Sequence, residues 1–275
     1  MIYRQTLKSL VPPIILDLFR HLNQKKSVRF LGAYSDWETA VKDSKGYDSK
    51  AILQQAVAKT QLVVSGKVAY ERDGVVFKKP EYPYPLLAIL LRATSENNNK
   101  LTVLDFGGSL GSTYHQCRSF LQGVLSLKWC VVEQSHFVSA GRANFTDKVL
   151  SFHNSIVDCL EGNPPNVVLF SGVLQYLPEP FAVLQQVIKS NVDYIVIDRN
   201  PFLVKGGAVL SIQKVPKSII ETSYPVWLFN EQEFKQVFAE KYAEIATFDA
   251  IDGTIGQGCL TAKFKGIIFK RIEEK

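Results

Sequence analysis

Beyond residue 100 the chain alternates between short apolar runs and longer segments whose apolar positions recur every three or four residues. The runs predict strands at 101–106, 128–133, 149–153, 166–171 and 193–198. The segments between them predict helices, notably 112–125 and 179–190, the second with Phe181, Leu184, Val187 and Ile188 on one face. Uniformly apolar strands separated by helices predict an α/β fold, a parallel sheet covered on both faces. The tail reads differently. Asn230-x-x-Glu233 has the form of a capping box and starts a helix ending near Glu240. Strand candidates 243–249 and 260–270 follow, joined by a loop with Asp252-Gly253, Gly256 and Gly258, as for a final antiparallel pair.

Residues 1–92 read as a mainly helical N-terminal extension, and 93–275 as the main domain. A helix starting near Pro13 places Ile15, Leu18, Phe19 and Leu22 on one face, with Arg20, Lys25, Lys26 and Arg29 on or after it. Packing on the main domain is the favoured reading; peripheral contact with an anionic membrane surface is the other. A polar stretch follows with Trp37 and Gly46-Tyr47-Asp48. Next come a helix from Lys50 to about Thr60, a short strand Val75–Phe77 and an extended passage set by Pro80, Pro83 and Pro85. Leu86 to Ala93 then reads as a helix.

Composition narrows the class. The chain has 275 residues, 46% hydrophobic and 21% charged, which is one large domain or two small ones. The net charge of +6 is spread along the chain, without the dense basic stripe of a nucleic-acid reader. The apolar run Leu10–Leu18 is too short to span a bilayer, and no cleavage site follows it. Cys117, Cys130, Cys159 and Cys259 lack C-x-x-C spacing and read as reduced, buried thiols of a cytoplasmic protein. His21, His115, His136 and His153 form no metal-spaced pair, so no metal site is expected.

The chemistry concentrates at strand ends. LTVLDFGGSLG, residues 101–111, is strand, acid, glycine-rich turn, with a helix to follow. The dinucleotide fingerprint G-x-G-x-x-G fits badly, because its first glycine falls on Phe106. Glu133 closes the second strand some 22 residues beyond Gly111, the spacing at which an acid grips a ribose diol. A NAD enzyme would use it equally well. Asn154 follows the third strand and Ser171-Gly172 the fourth; Asp198-Arg199-Asn200 end the fifth. Residues 205–229, with Tyr224 and Trp227, are long for a connection and read as a wall or lid.

The spacing D-x-G-x-x-x-G, with NVVLFSGVLQYLPEP after it, resembles class I S-adenosylmethionine (SAM)-dependent methyltransferases. That resemblance covers roughly Leu86 to Lys275. It implies a Rossmann-like sheet of five parallel strands plus an antiparallel pair, and SAM as cofactor. It implies that Asp105 anchors the methionine end in the turn of Gly107, Gly108, Ser109 and Gly111, and that Glu133 takes the ribose. Ser109 departs from the family, which often has a glycine there. Asn154 matches the adenine position, and Ser171 and Gly172 the cofactor side of the fourth strand. Gln175 and Tyr176 match positions facing the acceptor, to which Arg199, Tyr224 and Trp227 are added as contacts. GYD at 46–48, YPYPLL, LDFGGSLGS, LFSGVLQYL and DRNPF together resemble a poorly characterised family of bacterial methyltransferases associated with surface-polysaccharide biosynthesis. That resemblance implies a sugar or sugar-linked acceptor, with O-methylation as the reaction. A hydroxyl acceptor needs a base; His153 and Asp198 are the candidates, with His115 third. Two alternatives stay open: a NAD- or nucleotide-sugar-dependent Rossmann enzyme, opposed by the glycine spacing and the lack of a Tyr-x-x-x-Lys pair, and a non-catalytic scaffold on the same fold.

Overall fold

A computed structural model describes residues 28–46, 49–162, 164–215 and 222–273. The helix expected near Pro13, together with Tyr47 and Asp48, lies outside the described residues. In chain order, β1 (Arg29–Tyr34), α1 (Trp37–Lys42) and α2 (Ser49–Val64) lead into a small hairpin, β2 (Tyr70–Arg72) and β3 (Val75–Phe77). After α3 (Tyr84–Glu96) comes the alternating part: β4 (Lys100–Phe106), α4 (Ser112–Cys117), β5 (Ser126–Val132), α5 (Ser135–Asn144), β6 (Leu150–His153), α6 (Ile156–Gly162), β7 (Val167–Ser171), α7 (Pro180–Lys189) and β8 (Tyr194–Leu203). The chain ends in β9 (Val209–Val215), β10 (Thr222–Leu228), α8 (Glu231–Gln236), β11 (Tyr242–Ile255) and β12 (Ala262–Arg271).

The main sheet has seven strands in the order β11-β12-β8-β7-β4-β5-β6. The pairings among β8, β7, β4, β5 and β6 are parallel, and β12 and β11 add an antiparallel edge. This is the Rossmann-like sheet that the sequence resemblance implied, five parallel strands plus an antiparallel pair. Strand order reverses beside β4: β5 and β6 lie to one side, β7 and β8 to the other. Ligands of open parallel sheets bind in the crevice at that point, outside the carboxyl ends of the strands.

Alternation along each strand feeds two cores. Leu101 and Val103 of β4 and Trp129 and Val131 of β5 pack under α3 with Leu86 and Leu90. On the other face Leu104, Cys130, Val168, Phe170 and Ile197 meet Ile156, Cys159, Leu184 and Phe234 from the covering helices. Each fully buried large apolar side chain contributes about 1.5–3 kcal/mol, which is why the central strands carry almost nothing else.

Several elements differ from the sequence reading. The helix expected at 112–125 stops at Cys117 and continues as a single tight turn, Arg118–Phe120. The residues beyond are drawn away: the Leu125 amide donates to the Asn99 carbonyl (3.0 Å), and the Asn99 side chain donates to the Gly123 carbonyl (3.2 Å). β8 runs past its last partner on β7, where Asp198 faces Ser171, because β12 continues to pair with it as far as Leu203. Asp252-Gly253 sit inside β11, at a register shift between Asp249 and Thr254, and the turn falls at Gly256 and beyond. Asn230 caps α8 as expected, its side chain accepting from the Glu233 amide at 3.0 Å, but the helix ends at Gln236.

The largest difference is in 205–229. The segment expected as a loop contains the antiparallel pair β9 and β10, and β1 adds to it in a second, three-stranded sheet. β1 escaped notice because its partner is remote, Arg29 lying opposite Lys214. Phe30, Val226 and Leu228 of this sheet pack on Phe264 and Ala262 of β12 and on Tyr176, which sets the small sheet beside the turn that follows β7.

Candidate active site

The turn after β4 is shaped by contacts only glycine allows. Gly107 has φ of +73°, and a Cβ there would lie 2.4 Å from Val173 Cγ2. A Cβ on Gly108 would lie 2.5 Å from the Asp105 carboxylate. Asp105 therefore sits directly beneath the turn. It is 1% exposed, and its Oδ2 accepts from Trp129 Nε1 at 3.0 Å. Burial pushes its pKa up to about 7, the Trp129 hydrogen bond opposes the rise, and the nearby Glu133 charge adds to it. This geometry shores up the turn from below.

Across the crevice, the Glu133 carboxylate accepts from the amide of Gln134 (2.8 Å) and from the amide of Ser109. Burial raises its pKa while these two bonds hold it down. Ser109 is thus tied to the end of β5, with φ of 54°. Gly111 caps α4 with φ of 85°. Asn154 is exposed just beyond β6. Ser171 and Gly172 close β7, the Ser171 hydroxyl donating to Asp198 Oδ2 at 3.3 Å. Asp198 is 9% exposed and burial raises its pKa, against the pull of Arg199.

The two base candidates are not brought together. His153 is on the edge strand β6 and Asp198 on β8, four strand positions away, or about 19 Å at 4.8 Å per strand. Asp198 faces the side where Gln175 and Tyr176 lie; His153 does not. His115 is 8% exposed, and neither ring nitrogen has a partner among the described residues. Burial lowers its pKa to about 4.

Arg199 is differently engaged than the sequence suggested. Its Nε and Nη2 donate to Asp252 (2.9 and 2.8 Å), and Nη1 and Nη2 to Asp73 (3.2 and 2.5 Å). Two carboxylates occupy the guanidinium, which lies 3.5 Å from where a Gly172 Cβ would be. Asp73 is in the turn of the β2–β3 hairpin, and Glu71 of the same hairpin accepts from the Ser112 hydroxyl at 2.5 Å. The hairpin therefore bridges the start of α4 and the middle of β8. Asp73 carried no sequence signal and Asp252 only that of a turn; the fold alone brings Asp73 to a residue 126 positions away.

Beyond β7, Tyr176 and Tyr224 meet edge to face with centroids 5.2 Å apart. Gln213, unmarked in sequence, links them: its Oε1 accepts from the Tyr176 hydroxyl (3.2 Å) and its Nε2 donates to the Tyr224 hydroxyl (3.0 Å). Gln175 donates to the Arg199 carbonyl at 3.3 Å. Among the described residues, Gln175 Oε1, both side-chain polar atoms of Asn200 and Trp227 Nε1 are buried without a partner. Buried orphans are rare in folded proteins and each calls for an explanation. These lie on the 174–176 turn, β8 and β10, elements in mutual contact.

No protein-family model matches the chain, and no curated protein does. Solved structures resemble it distantly. The N-terminal domain of EvdMO1, crystallised with S-adenosylhomocysteine and D-fucose, is 13% identical, covering 82% of this chain and 98% of that one, with a TM-score of 0.46. LepI in complex with SAM is 12% identical over 74% of this chain, TM-score 0.46; the chain spans 49% of LepI. The 1,6-didemethyltoxoflavin-N1-methyltransferase of Burkholderia thailandensis is 15% identical, covering 82% of this chain and 89% of that one, TM-score 0.43. The functional reading that follows rests on this chain's own topology and site.

Proposed function

We propose that this chain is a SAM-dependent methyltransferase that O-methylates a small or sugar-linked acceptor in the cytoplasm. The observation that carries the reading is the facing pair at the sheet's switch point: a close-approach glycine turn after β4, with Glu133 bonded across to it from the end of β5. The residues fit the cofactor. The turn of Gly107, Gly108, Ser109 and Gly111, held close by Val173, Asp105 and Leu150 packed against its glycines, would carry the methionine portion, Glu133 can accept from two ribose hydroxyls, and Asn154 would meet the adenine. Asp105 supports the turn from beneath. When bound, SAM supplies an electrophilic methyl group.

The chain's own residues do the rest. Ser171 and Gly172 border the crevice on the β7 side. Tyr176 and Tyr224 offer aromatic walls, with the Gln213 amide as the polar group between them. Asp198 takes the acceptor's hydroxyl proton, its proton affinity raised by burial. Arg199 positions the strand end rather than meeting the acceptor.

Thermal unfolding with S-adenosylhomocysteine or NAD as the added ligand tests the cofactor: only the first should raise the midpoint. Glu133→Ala should then weaken binding by roughly 1.5–3 kcal/mol, the scale of a charge-assisted hydrogen bond, with the fold unchanged by circular dichroism. Stabilisation by NAD alone would overturn the reading.

A further inference from the structure

The fold assembles a cluster that neither the sequence spacing nor the proposed methyl transfer accounts for. Cys130 on β5, His153 on β6 and Cys159 on α6 bring their ligand atoms within 4.8 Å of one another. The convergence follows from strand alternation. Cys130 points to the face covered by α6, and so do residues 151 and 153 of the neighbouring strand, since Leu150 and Phe152 pack on the opposite face. Ser151 lies directly across from Cys130 in the β5–β6 register, and its hydroxyl is 2.9 Å from His153 Nε2. Four polar or soft groups thus meet from three elements. Both cysteines are buried, and half-buried His153 opens the cluster to solvent beside the edge strand.

We propose that Cys130, Cys159 and His153 form a binding site for a soft divalent cation of the zinc class, with a water completing the shell. Two sulfurs and an imidazole nitrogen, with no carboxylate among them, suit zinc and exclude magnesium or calcium. In a tetrahedral zinc site, bonds of about 2.3 Å to sulfur and 2.0–2.1 Å to nitrogen put ligand atoms roughly 3.5–3.8 Å apart. The observed separations need only a small contraction. A hydroxyl beside the imidazole is the kind of outer partner that fixes a ligating ring. Binding deprotonates both thiols, so each cation taken up releases protons to the buffer. The site would pin β6 and α6, at the margin of the parallel sheet, to β5. It borders Glu133, whose amide donates to the His153 carbonyl, but shares no side chain with the proposed cofactor contacts, so it does not rest on the methyltransferase reading.

The test uses the full chain, reduced, with zinc or cobalt ions as the only added metal. Wild type should retain a single equivalent of zinc through gel filtration, and cobalt should give thiolate charge-transfer absorption with tetrahedral visible bands. Cys130→Ala and Cys159→Ala should abolish both, His153→Ala should weaken binding at least tenfold, and Cys259→Ala should change nothing. X-ray absorption of zinc-loaded wild type needs no variant and should show two sulfurs at about 2.3 Å. A coordination shell of light atoms alone, or zinc uptake unchanged in Cys130→Ala, would overturn the proposal. So would spontaneous closure of a Cys130–Cys159 disulfide that zinc does not prevent.

Discussion

Ser109 and Arg199, on either flank of the crevice, hold left-handed backbone conformations, with φ of 54° and 56°. Such positions cost on the order of 1–3 kcal/mol for residues other than glycine, and they cluster where geometry is dictated by function. Ser109→Gly should therefore keep the amide that Glu133 accepts from while raising stability by up to about 1 kcal/mol in denaturant unfolding. Asp105 stores a different tension. Burial holds its folded pKa at about 7, above the 3.8 of an ordinary aspartate. A raised pKa means its contribution to stability is fully present below about pH 4 and is lost as pH rises through about 7. Asp105→Asn keeps an acceptor for Trp129 without the charge. Relative to that variant, wild type should lose on the order of 2–4 kcal/mol between pH 4 and pH 8, read as the difference between paired urea titrations.

Among the elements, the β2–β3 hairpin has a role out of proportion to its size. Two short strands are marginal alone, yet this pair is held at one end by Glu71 on Ser112 and at the other by Asp73 on Arg199. Asp73→Ala leaves Arg199 its Asp252 partner, so global stability should change by no more than about 1 kcal/mol. Hydrogen exchange of the amides at 70–77 should nonetheless accelerate, and unchanged protection there would show that Asp73 does not anchor the hairpin. The hairpin also marks where sequence ceases to inform. β3 was legible from Val75-Val76-Phe77, and β4 through β8 from apolar runs that only a two-sided sheet explains. β1, β9 and β10 were not, because their pairing partners are far apart in the chain and their faces are mixed.

For the whole molecule, the same division separates the β4–β5 side of the crevice from the side where the second sheet packs. Asp105, the glycines and Glu133 sit at strand ends of a regular sheet, where position in the pattern implies position in space. Gln213 and Asp73 matter through encounters between remote segments, so nothing in their local sequence marks them, and Asp252 was legible only as a turn residue. Cys130, His153 and Cys159 are the same lesson on the other flank: their spacing fits no motif, and only alternation across two strands and a helix aligns them.

The pairing of β1 with β9 has a consequence for how the protein is made. Residues 29–34 leave the ribosome before any strand of the parallel sheet, and their partners at 210–214 emerge only after β4 through β8 have been synthesised. The first described strand must wait, unpaired, until the β9–β10 hairpin arrives. Contacts this remote in sequence form slowly. The crevice at β4, β5 and β7 could thus assemble on a nascent chain before the second sheet exists to flank it.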